Sequence, residues 1–164
     1  MDQAGRDPVS PKKARTEEET IQALAEIDSV KNDELDAEHE ECSSALELLS
    51  QHRSASALAN FLDIFQRHCD HEESLLEEHL YAPEEKRVSV EGGVSLLLNS
   101  RTSHFQDHKK LIGSIKQELD RLGGDTSDAL VSVSFVNGLL RGFENHANVY
   151  DASYADRLAV AVGA

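Results

Sequence analysis

The chain has 164 residues and a formal net charge of −15, and aromatic residues make up only 5% of it. This length fits one domain that buries about two-thirds of the surface its unfolded chain would expose. The acidic balance argues against nucleic acid or an anionic membrane as a partner, because both attract basic surfaces. No apolar run reaches the ~18 residues of a membrane span and the N-terminus lacks a signal-peptide core, so we expect a cytoplasmic protein.

The N-terminal region divides into two parts. Residues 1–19 are polar, contain two prolines and show no apolar periodicity, which predicts a disordered tail. Residues 20–32 carry isoleucine and leucine at regular intervals, and we expect them to pack on the domain as an arm. The main domain is then expected at 33–153, followed by a segment at 154–164 that forms either a short helix or a frayed end.

The first two predicted helices follow good capping residues. Helix one is expected to begin after Asn32 or Asp33 and to end near residue 51. Helix two is expected to follow Ser54 or Ser56, with apolar residues at alternating steps of three and four. That spacing is typical of the inward stripe of a bundle helix.

Two further helices are predicted in the second half. Residues 81–93 contain a proline and a glycine pair, which predict a connection. Helix three is expected from about residue 94 to 122, where the glycines at 123–124 end it. Residues 125–127 can cap helix four, which is expected to end near Asp151. The fold predicted is therefore all-α, an antiparallel up-down four-helix bundle.

Seven polar side chains occupy inward positions where a bundle should bury apolar residues. These are His39, His68, Glu72, His104, His108, His146 and Asp151. An uncompensated buried polar group costs about 1–3 kcal/mol, and a buried charge costs more. Because a domain is stable by only about 5–15 kcal/mol, seven such groups indicate a metal site, with two ions. Two alternatives to a metal site stay open. A single histidine in a core more often hydrogen-bonds to a backbone carbonyl than binds a metal, and polar residues need no metal if their helix stripes face water.

The spacing within each helix decides which of these residues can share an ion. Two pairs are four residues apart and lie about one turn apart on one helix face: His68 with Glu72, and His104 with His108. His146 and Asp151 are five residues apart, a rotation of about 140° on an ideal helix. Asp151 therefore reaches the site only if the last turn is distorted or the helix tilts.

The residue types also indicate the metal. A mixture of imidazoles and carboxylates favours iron, with zinc as the alternative. It disfavours cations that prefer oxygen ligands alone. If the register differs by one residue, Glu73 replaces Glu72. The remaining histidines, His52, His71 and His79, are interpreted as surface groups or outer partners of the site. Two cysteines are too few for a disulfide framework, so we expect free thiols.

Four segments that carry these residues fall in a fixed order: LDAEHEE at 35–41, HCDHEESLL at 68–76, HFQDH at 104–108 and HANVYD at 146–151. In this order they resemble the D-x-x-H, H-F-x-x-E-E, H-x-x-x-H and H-x4-D segments of the hemerythrin family. Cys69 stands in place of the usual aromatic residue, and the aromatic anchors common near the family's N-terminus are missing. The five-residue step to Asp151 is the family's own.

The resemblance implies a four-helix bundle around a non-haem di-iron centre that binds dioxygen reversibly. It implies these ligands: His104, His108 and His146 on one iron, His39 and His68 on the other, and bridges from Glu72, Asp151 and a hydroxide or oxo group. The expected lining of the dioxygen pocket is apolar: Cys42, Leu46, Phe61, Phe65, Leu111, Leu139 and Phe143.

The leading functional hypothesis is an oxygen carrier, store or sensor rather than an enzyme. The runner-up is a di-iron oxidase or a peroxide-decomposing enzyme. Such enzymes usually carry paired E-x-x-H motifs that face inward, and this sequence has none. Two further alternatives are a regulatory module that responds to iron or dioxygen, and a structural zinc bundle. Bridging carboxylates are superfluous for closed tetrahedral zinc, which counts against the last.

Overall fold

The computed structural model describes residues 20–125 and 128–163, and most of these residues are helical. Six α-helices lie in these ranges: α1 (Asp33–His52), α2 (Ala55–Leu76), α3 (Ala82–Glu91), α4 (Leu96–Leu122), α5 (Val133–Asn145) and α6 (Ala155–Val162). Two π-helical turns, Glu77–Tyr81 and His146–Tyr150, and a 3₁₀ turn, Asp151–Ser153, connect them. The described ranges contain no β-strand, so the all-α prediction is confirmed. The tail predicted at 1–19 lies outside the described residues.

Side-chain caps fix where the four longest helices begin. Asn32 accepts hydrogen bonds from two N–H groups of the first turn of α1, and Ser54 caps α2 in the same way. Ser95 and Ser132 cap α4 and α5. Gly123 adopts a left-handed conformation with φ of 92° and ends α4, as predicted.

Two predicted boundaries are wrong. The connection expected over 81–93 contains helix α3, because Pro83 lies in its first turn, where its missing N–H is not needed. Helix α5 begins at Val133, later than expected, and its cap is Ser132 rather than residues 125–127. The reason is that the N–H of Val131 donates to the carbonyl of Arg53 and Leu130 forms a β-bridge with Ser54, which hold these two residues against the turn between α1 and α2.

The long helices enclose two separate groups of buried apolar residues. Helix α1 contacts α2 and α5, and α4 contacts the same two helices. The larger group includes Phe61, Phe65 and Phe143, and the smaller group includes Tyr81 and Tyr154 from the turns near α3 and α6. The apolar interior is therefore interrupted between these groups, and the polar residues of the predicted site occupy that interval.

The termini of the described chain are ordered against this interior. Residues 20–32 form no helix before α1, and the side chains of Ile21, Leu24 and Ile27 pack on the larger apolar group. The C-terminal segment forms α6, whose Leu158 is fully buried. Among the described residues, none of the helices combines the length and the apolar character that crossing a membrane requires.

Candidate metal centre

The structure brings all seven predicted side chains together in the protein interior. They come from α1 (His39), α2 (His68, Glu72), α4 (His104, His108) and the turns after α5 (His146, Asp151). None of the seven is more than 3% exposed. The helix stripes that carry them therefore face the interior and not water, which is the condition that the sequence argument required.

The side chains form two groups that share one carboxylate. In each group the ligand atoms lie within 4.8 Å of one another: Glu72, His104, His108, His146 and Asp151 in the first group, and His39, His68 and Asp151 in the second. We call these the three-histidine group and the two-histidine group. Of the two carboxylates expected to be shared, Asp151 belongs to both groups and Glu72 belongs to the three-histidine group alone.

Asp151 joins the groups through its two oxygen atoms. Its Oδ1 lies 3.0 Å from Nε2 of His104 and 3.2 Å from Nε2 of His146. Its Oδ2 lies 3.1 Å from Nε2 of His39 and 4.0 Å from Nε2 of His68. Each oxygen therefore faces a different set of histidines, and the carboxylate is the link between the two groups.

Glu72 contacts the three-histidine group only. Its Oε2 lies 3.2 Å from Nε2 of His104 and 3.0 Å from Nε2 of His108. Its Oε1 accepts a hydrogen bond from the phenol of Tyr154, a residue that sequence reasoning missed. A bridging role for Glu72 therefore stays a prediction, while Tyr154 joins the site as a partner of this carboxylate.

A π-helical turn explains how Asp151 reaches the site. The chain leaves the α-helical repeat at His146, and the N–H of Asp151 donates to the carbonyl of His146, five residues earlier. In a π-turn residues five apart lie near one another on one face, whereas on an α-helix they diverge by about 140°. The distortion of the last turn, one of the two conditions stated for Asp151, is therefore present.

Carboxylates outside the two groups hold the second nitrogen of three ligand histidines. The Nδ1 atoms pair with them as follows: His68 with Glu38 at 3.0 Å, His108 with Glu73 at 2.8 Å, and His146 with Asp107 at 3.1 Å. A histidine that donates from Nδ1–H presents the lone pair of Nε2 to the site interior. Glu73 is therefore an outer partner and not a substitute for Glu72.

These outer carboxylates follow a pattern along the chain. Each is adjacent in sequence to a ligand on its own helix and pairs with a histidine of the next long helix. Glu38 precedes His39 on α1 and serves α2, and Glu73 follows Glu72 on α2 and serves α4. Asp107 likewise precedes a ligand on α4 and serves the turn after α5. Sequence reasoning missed Glu38 and Asp107, although this adjacency to ligands was the available signal.

The charge of the site shifts several pKa values. Burial opposes the charged form of His104, but the facing carboxylates Asp151 and Glu72 outweigh it and raise its pKa to about 9. The pKa values of His39 and His108 are raised for the same reason, against the same effect of burial. Burial favours a neutral Glu72, yet the neighbouring histidines hold its pKa well below the usual range. The site thus stabilises positive charge beside its carboxylates.

Unpaired buried atoms test whether a metal fits. Within the described residues, five buried side-chain nitrogen or oxygen atoms have no hydrogen-bond partner: His39 Nδ1, His68 Nε2, Glu72 Oε2, His104 Nε2 and Asp151 Oδ1. All except Nδ1 of His39 lie on the inner side of the two groups, where the side chains face one another. Nε2 of His104 lies 3.2 Å from Oε2 of Glu72 and 3.0 Å from Oδ1 of Asp151, and Nε2 of His68 lies 4.0 Å from the other oxygen of Asp151. A cation among these buried atoms would give them a common partner, so the donor set fits a metal.

The remaining predicted residues lie around this centre. Nδ1 of His71 donates to Glu38 at 2.8 Å, so it is an outer partner, while His52 is exposed and His79 half-buried. All seven residues of the predicted apolar lining belong to the larger apolar group. The ring of Phe65 lies 5.9–6.4 Å from three ligand histidines, and that of Phe143 lies 6.2 Å from His39.

The two cysteines are buried and free. Burial raises the pKa of both thiols, which keeps them protonated and unreactive. Cys42 therefore contributes to the apolar side of the site as a small side chain rather than as a ligand.

Comparison of the chain with family models, with curated proteins and with solved structures finds no match to any of them.

Proposed function

We propose that this chain is a hemerythrin-like protein that binds dioxygen reversibly at two iron ions, for transport, storage or sensing. The observation that carries the proposal is the division of seven buried side chains into two groups that share Asp151. Five imidazoles and two carboxylates suit iron better than magnesium or calcium. A tetrahedral zinc site would use only four ligands, and it would leave the others buried without a partner.

We infer further that α1, α2, α4 and α5 form an antiparallel up-down bundle around the centre. Two observations support this arrangement. Each of these helices contacts two of the others, and each of the four carries or leads into at least one residue of the site. A ring of four amphipathic helices is the architecture in which inward side chains of all members can meet at one level.

Two bound iron ions would supply the exchange of electrons and the vacant coordination position that dioxygen needs. The three-histidine group would hold one ion and the two-histidine group the other, with Asp151 between them. Because the two-histidine group offers fewer ligands, we expect dioxygen to bind on that side. The outer carboxylates Glu38, Glu73 and Asp107 would hold the imidazole rings, so that the ligand nitrogens keep their directions when dioxygen enters and leaves.

The apolar surroundings favour reversible binding over oxidation. Phe65 and Phe143 pack against the histidines on the side of the centre that faces the larger apolar group. Their rings keep water away from that side of the centre. Oxidases need protons delivered to the oxygen atoms, and a dry lining slows that delivery. The ligand set is also richer in histidine than the carboxylate-rich sets of di-iron oxidases.

The decisive experiment is to add iron(II) to the purified protein without air and then to record optical spectra through repeated cycles of air and argon. We expect two irons per chain and a visible charge-transfer band that appears with air and disappears with argon. A band that decays to a stable oxidised form, or turnover of added hydrogen peroxide, would instead assign the site to an oxidase or a peroxide-decomposing enzyme. Failure to take up iron would refute the proposal.

A further inference from the structure

The N-terminal arm lies on the helices with a three-residue repeat. In residues 20–30, which we call the arm, the half-buried or buried side chains come at every third position: Ile21, Leu24, Ile27 and Val30. The residues between them are exposed. Three residues per turn is the repeat of the polyproline-II helix, which makes no hydrogen bonds of its own and leaves its main chain free for a partner.

The first contact to that main chain comes from the side-chain amide of Asn137 on α5. Its Oδ1 accepts from the N–H of Gln22 at 2.8 Å, and its Nδ2 donates to the carbonyl of Thr20 at 2.9 Å. One amide thus satisfies a donor and an acceptor two residues apart, as a neighbouring strand would. Asn137 is largely buried, although α5 could carry an apolar residue there.

The same arrangement recurs further along the arm. Asn148, in the π-turn after α5, accepts from the N–H of Asp28 at 2.8 Å and donates to the carbonyl of Glu26 at 2.9 Å. Between the two asparagines, Glu144 accepts from the N–H of Ala25 at 2.6 Å. The main-chain donors at positions 22, 25 and 28 therefore all bond to one side of α5 and its continuation.

We propose that the surface between α1 and α5, which we call the arm groove, is a binding site for extended peptides with a large apolar side chain at every third residue. The groove binds main-chain groups and follows the period of the apolar side chains, and Arg141 of α5 also donates to the side chain of Gln22 at 2.8 Å. The arm is its resident occupant and competes with a partner peptide. Known polyproline-II recognition sites bind proline-rich peptides whose contacting side chains recur with the same period.

The arm leaves part of the groove open, which indicates larger partner side chains. Two clefts of about 570 and 360 Å³ lie between the arm and α1. Leu24 lines both, together with Ser43 and Ser44 of α1, and Ile27 lines the larger. Aromatic side chains at the positions of Leu24 and Ile27 would occupy this space, whereas the arm's aliphatic side chains do not.

The joint between the arm and α1 favours release. Lys31 has a φ of 58°, a left-handed conformation that residues other than glycine, asparagine and aspartate seldom adopt. The last arm residues are held by Asp36, which accepts from the N–H of Val30 at 2.8 Å and from Oγ of Ser29 at 2.6 Å. A strained residue between two anchored segments is a natural hinge.

The test uses the full chain and a fluorescent peptide of residues 20–30, followed by anisotropy. The variant Leu24→Asp/Ile27→Asp should release its own arm and bind this peptide at least about tenfold more tightly than the wild type, whose tethered arm competes at a high effective concentration. Adding Asn137→Ala/Asn148→Ala to that variant should weaken binding by about tenfold or more. A peptide with Phe at both positions 24 and 27 should bind more tightly than the native sequence.

Two controls distinguish binding in the arm groove from nonspecific binding and from the effects of misfolding. A peptide of the same composition with its apolar residues moved by one position should not bind, and all variants should keep the wild-type helix content. In the wild type, hydrogen exchange should be slow at the amides of residues 22, 25 and 28, and Asn137→Ala/Asn148→Ala should make it fast. Absence of peptide binding by the folded arm variant, or equal binding of the shifted peptide, overturns the proposal. A concentration-dependent dimer of the wild type would assign the groove to a second copy's arm instead, and would overturn it also.

Discussion

The Nδ1 atom of His146 lies 3.1 Å from Oδ2 of Asp107, so a carboxylate at the margin of the interior holds a fully buried candidate ligand. The carboxylate is 15% exposed and belongs to α4, whereas His146 belongs to the turn after α5. The hydrogen bond with His146 also lowers the pKa of Asp107, so the carboxylate is charged near neutral pH. The orientation of this ligand therefore depends on a residue of another helix.

Replacement of this carboxylate should weaken the metal centre without unfolding the protein. Asp107→Asn keeps an oxygen that can accept from Nδ1–H but removes the charge that makes the imidazole a stronger ligand. We expect iron affinity to fall by about 10–100-fold, as for outer partners of other metal sites. Competition with a chelator measures the change, and Asp70→Asn, at an exposed position of α2, is the matched control. Equal iron retention by both variants would show that Asp107 does not orient the ligand.

The shared carboxylate predicts different iron contents for two ligand variants. Asp151→Ala removes a ligand from both groups and should abolish binding of both irons, because each of its oxygens faces a different group. His39→Ala removes a ligand from the two-histidine group only, so we expect one iron per chain to remain. Elemental analysis of protein loaded without air gives these stoichiometries directly.

Three further variants check which side chains near the centre hold iron. His71→Ala should retain two irons, because this side chain contacts Glu38 and not the interior of the site. His146→Ala and Glu72→Ala should lose iron from the three-histidine group. The same iron content in His71→Ala and His146→Ala would contradict the assignment of the ligands.

The metal-free protein should lose stability as the pH rises above neutrality. The carboxylates around His104 raise its pKa from 6.5 to about 9 in spite of burial, so its contribution to folding is complete below pH 6.5 and is lost as the pH rises through 9. Urea unfolding at pH 6.5, 8 and 9.5 should show a falling free energy of unfolding. His104→Gln should have a lower value at pH 6.5 and a smaller decrease towards pH 9.5, and an unchanged decrease would rule out His104 as its cause.

At acidic pH the stability of the metal-free protein changes in the opposite direction and falls as the pH falls. The pKa of Glu72 is held well below its ordinary value of 4.5, so its contribution to folding is present above pH 4.5 and is lost as the pH falls further.

Iron affinity should also depend on pH. Iron competes with protons for the nitrogens of the candidate histidines, so the apparent affinity for iron should increase between pH 6.5 and 9. Chelator competition across this range measures that increase, and a flat profile would show that His104 binds no proton that iron must displace.

The inward positions of the candidate ligands on the long helices could be predicted because such positions need only helical periodicity. His68 and Glu72 stand one turn apart in a stripe of apolar residues, and a polar residue in such a stripe is visible in the sequence alone. Asp151 could not be placed in this way, because the π-turn that aligns it with His146 has no signature in local spacing. The resemblance to a known family supplied that position instead.

Other features depend on contacts between distant segments. Glu38 and Asp107 look like surface acids in the sequence, and their roles exist only because a facing helix presents a histidine nitrogen. The arm was expected to pack through its apolar residues, but the main-chain contacts of Asn137 could not be foreseen, since asparagine on a helix is usually a solvent-facing residue. Helix α3 was missed because Pro83 signals the end of one helix as readily as the start of another.

Two glycines of α5 provide a matched test of how closely the helices approach. A Cβ atom at Gly142 would lie 2.7 Å from Cδ2 of Leu111 on α4, whereas one at Gly138 would meet no atom within 4 Å. Gly138→Ala should therefore stabilise the protein by about 0.5–1 kcal/mol through helix propensity alone. Gly142→Ala gains the same propensity but must displace Leu111 from its buried position, at a cost of about 1–3 kcal/mol.

We therefore expect Gly142→Ala to be less stable than Gly138→Ala by about 1–3 kcal/mol in urea unfolding. Adding Leu111→Ala to each variant removes the atom that Gly142→Ala would strike, so the difference between the two glycine substitutions should shrink. A difference that persists in the Leu111→Ala background would mean that α4 and α5 do not meet at this position. Because His108 lies one turn from Leu111 on α4, Gly142→Ala should also weaken iron retention, while Gly138→Ala should leave it unchanged.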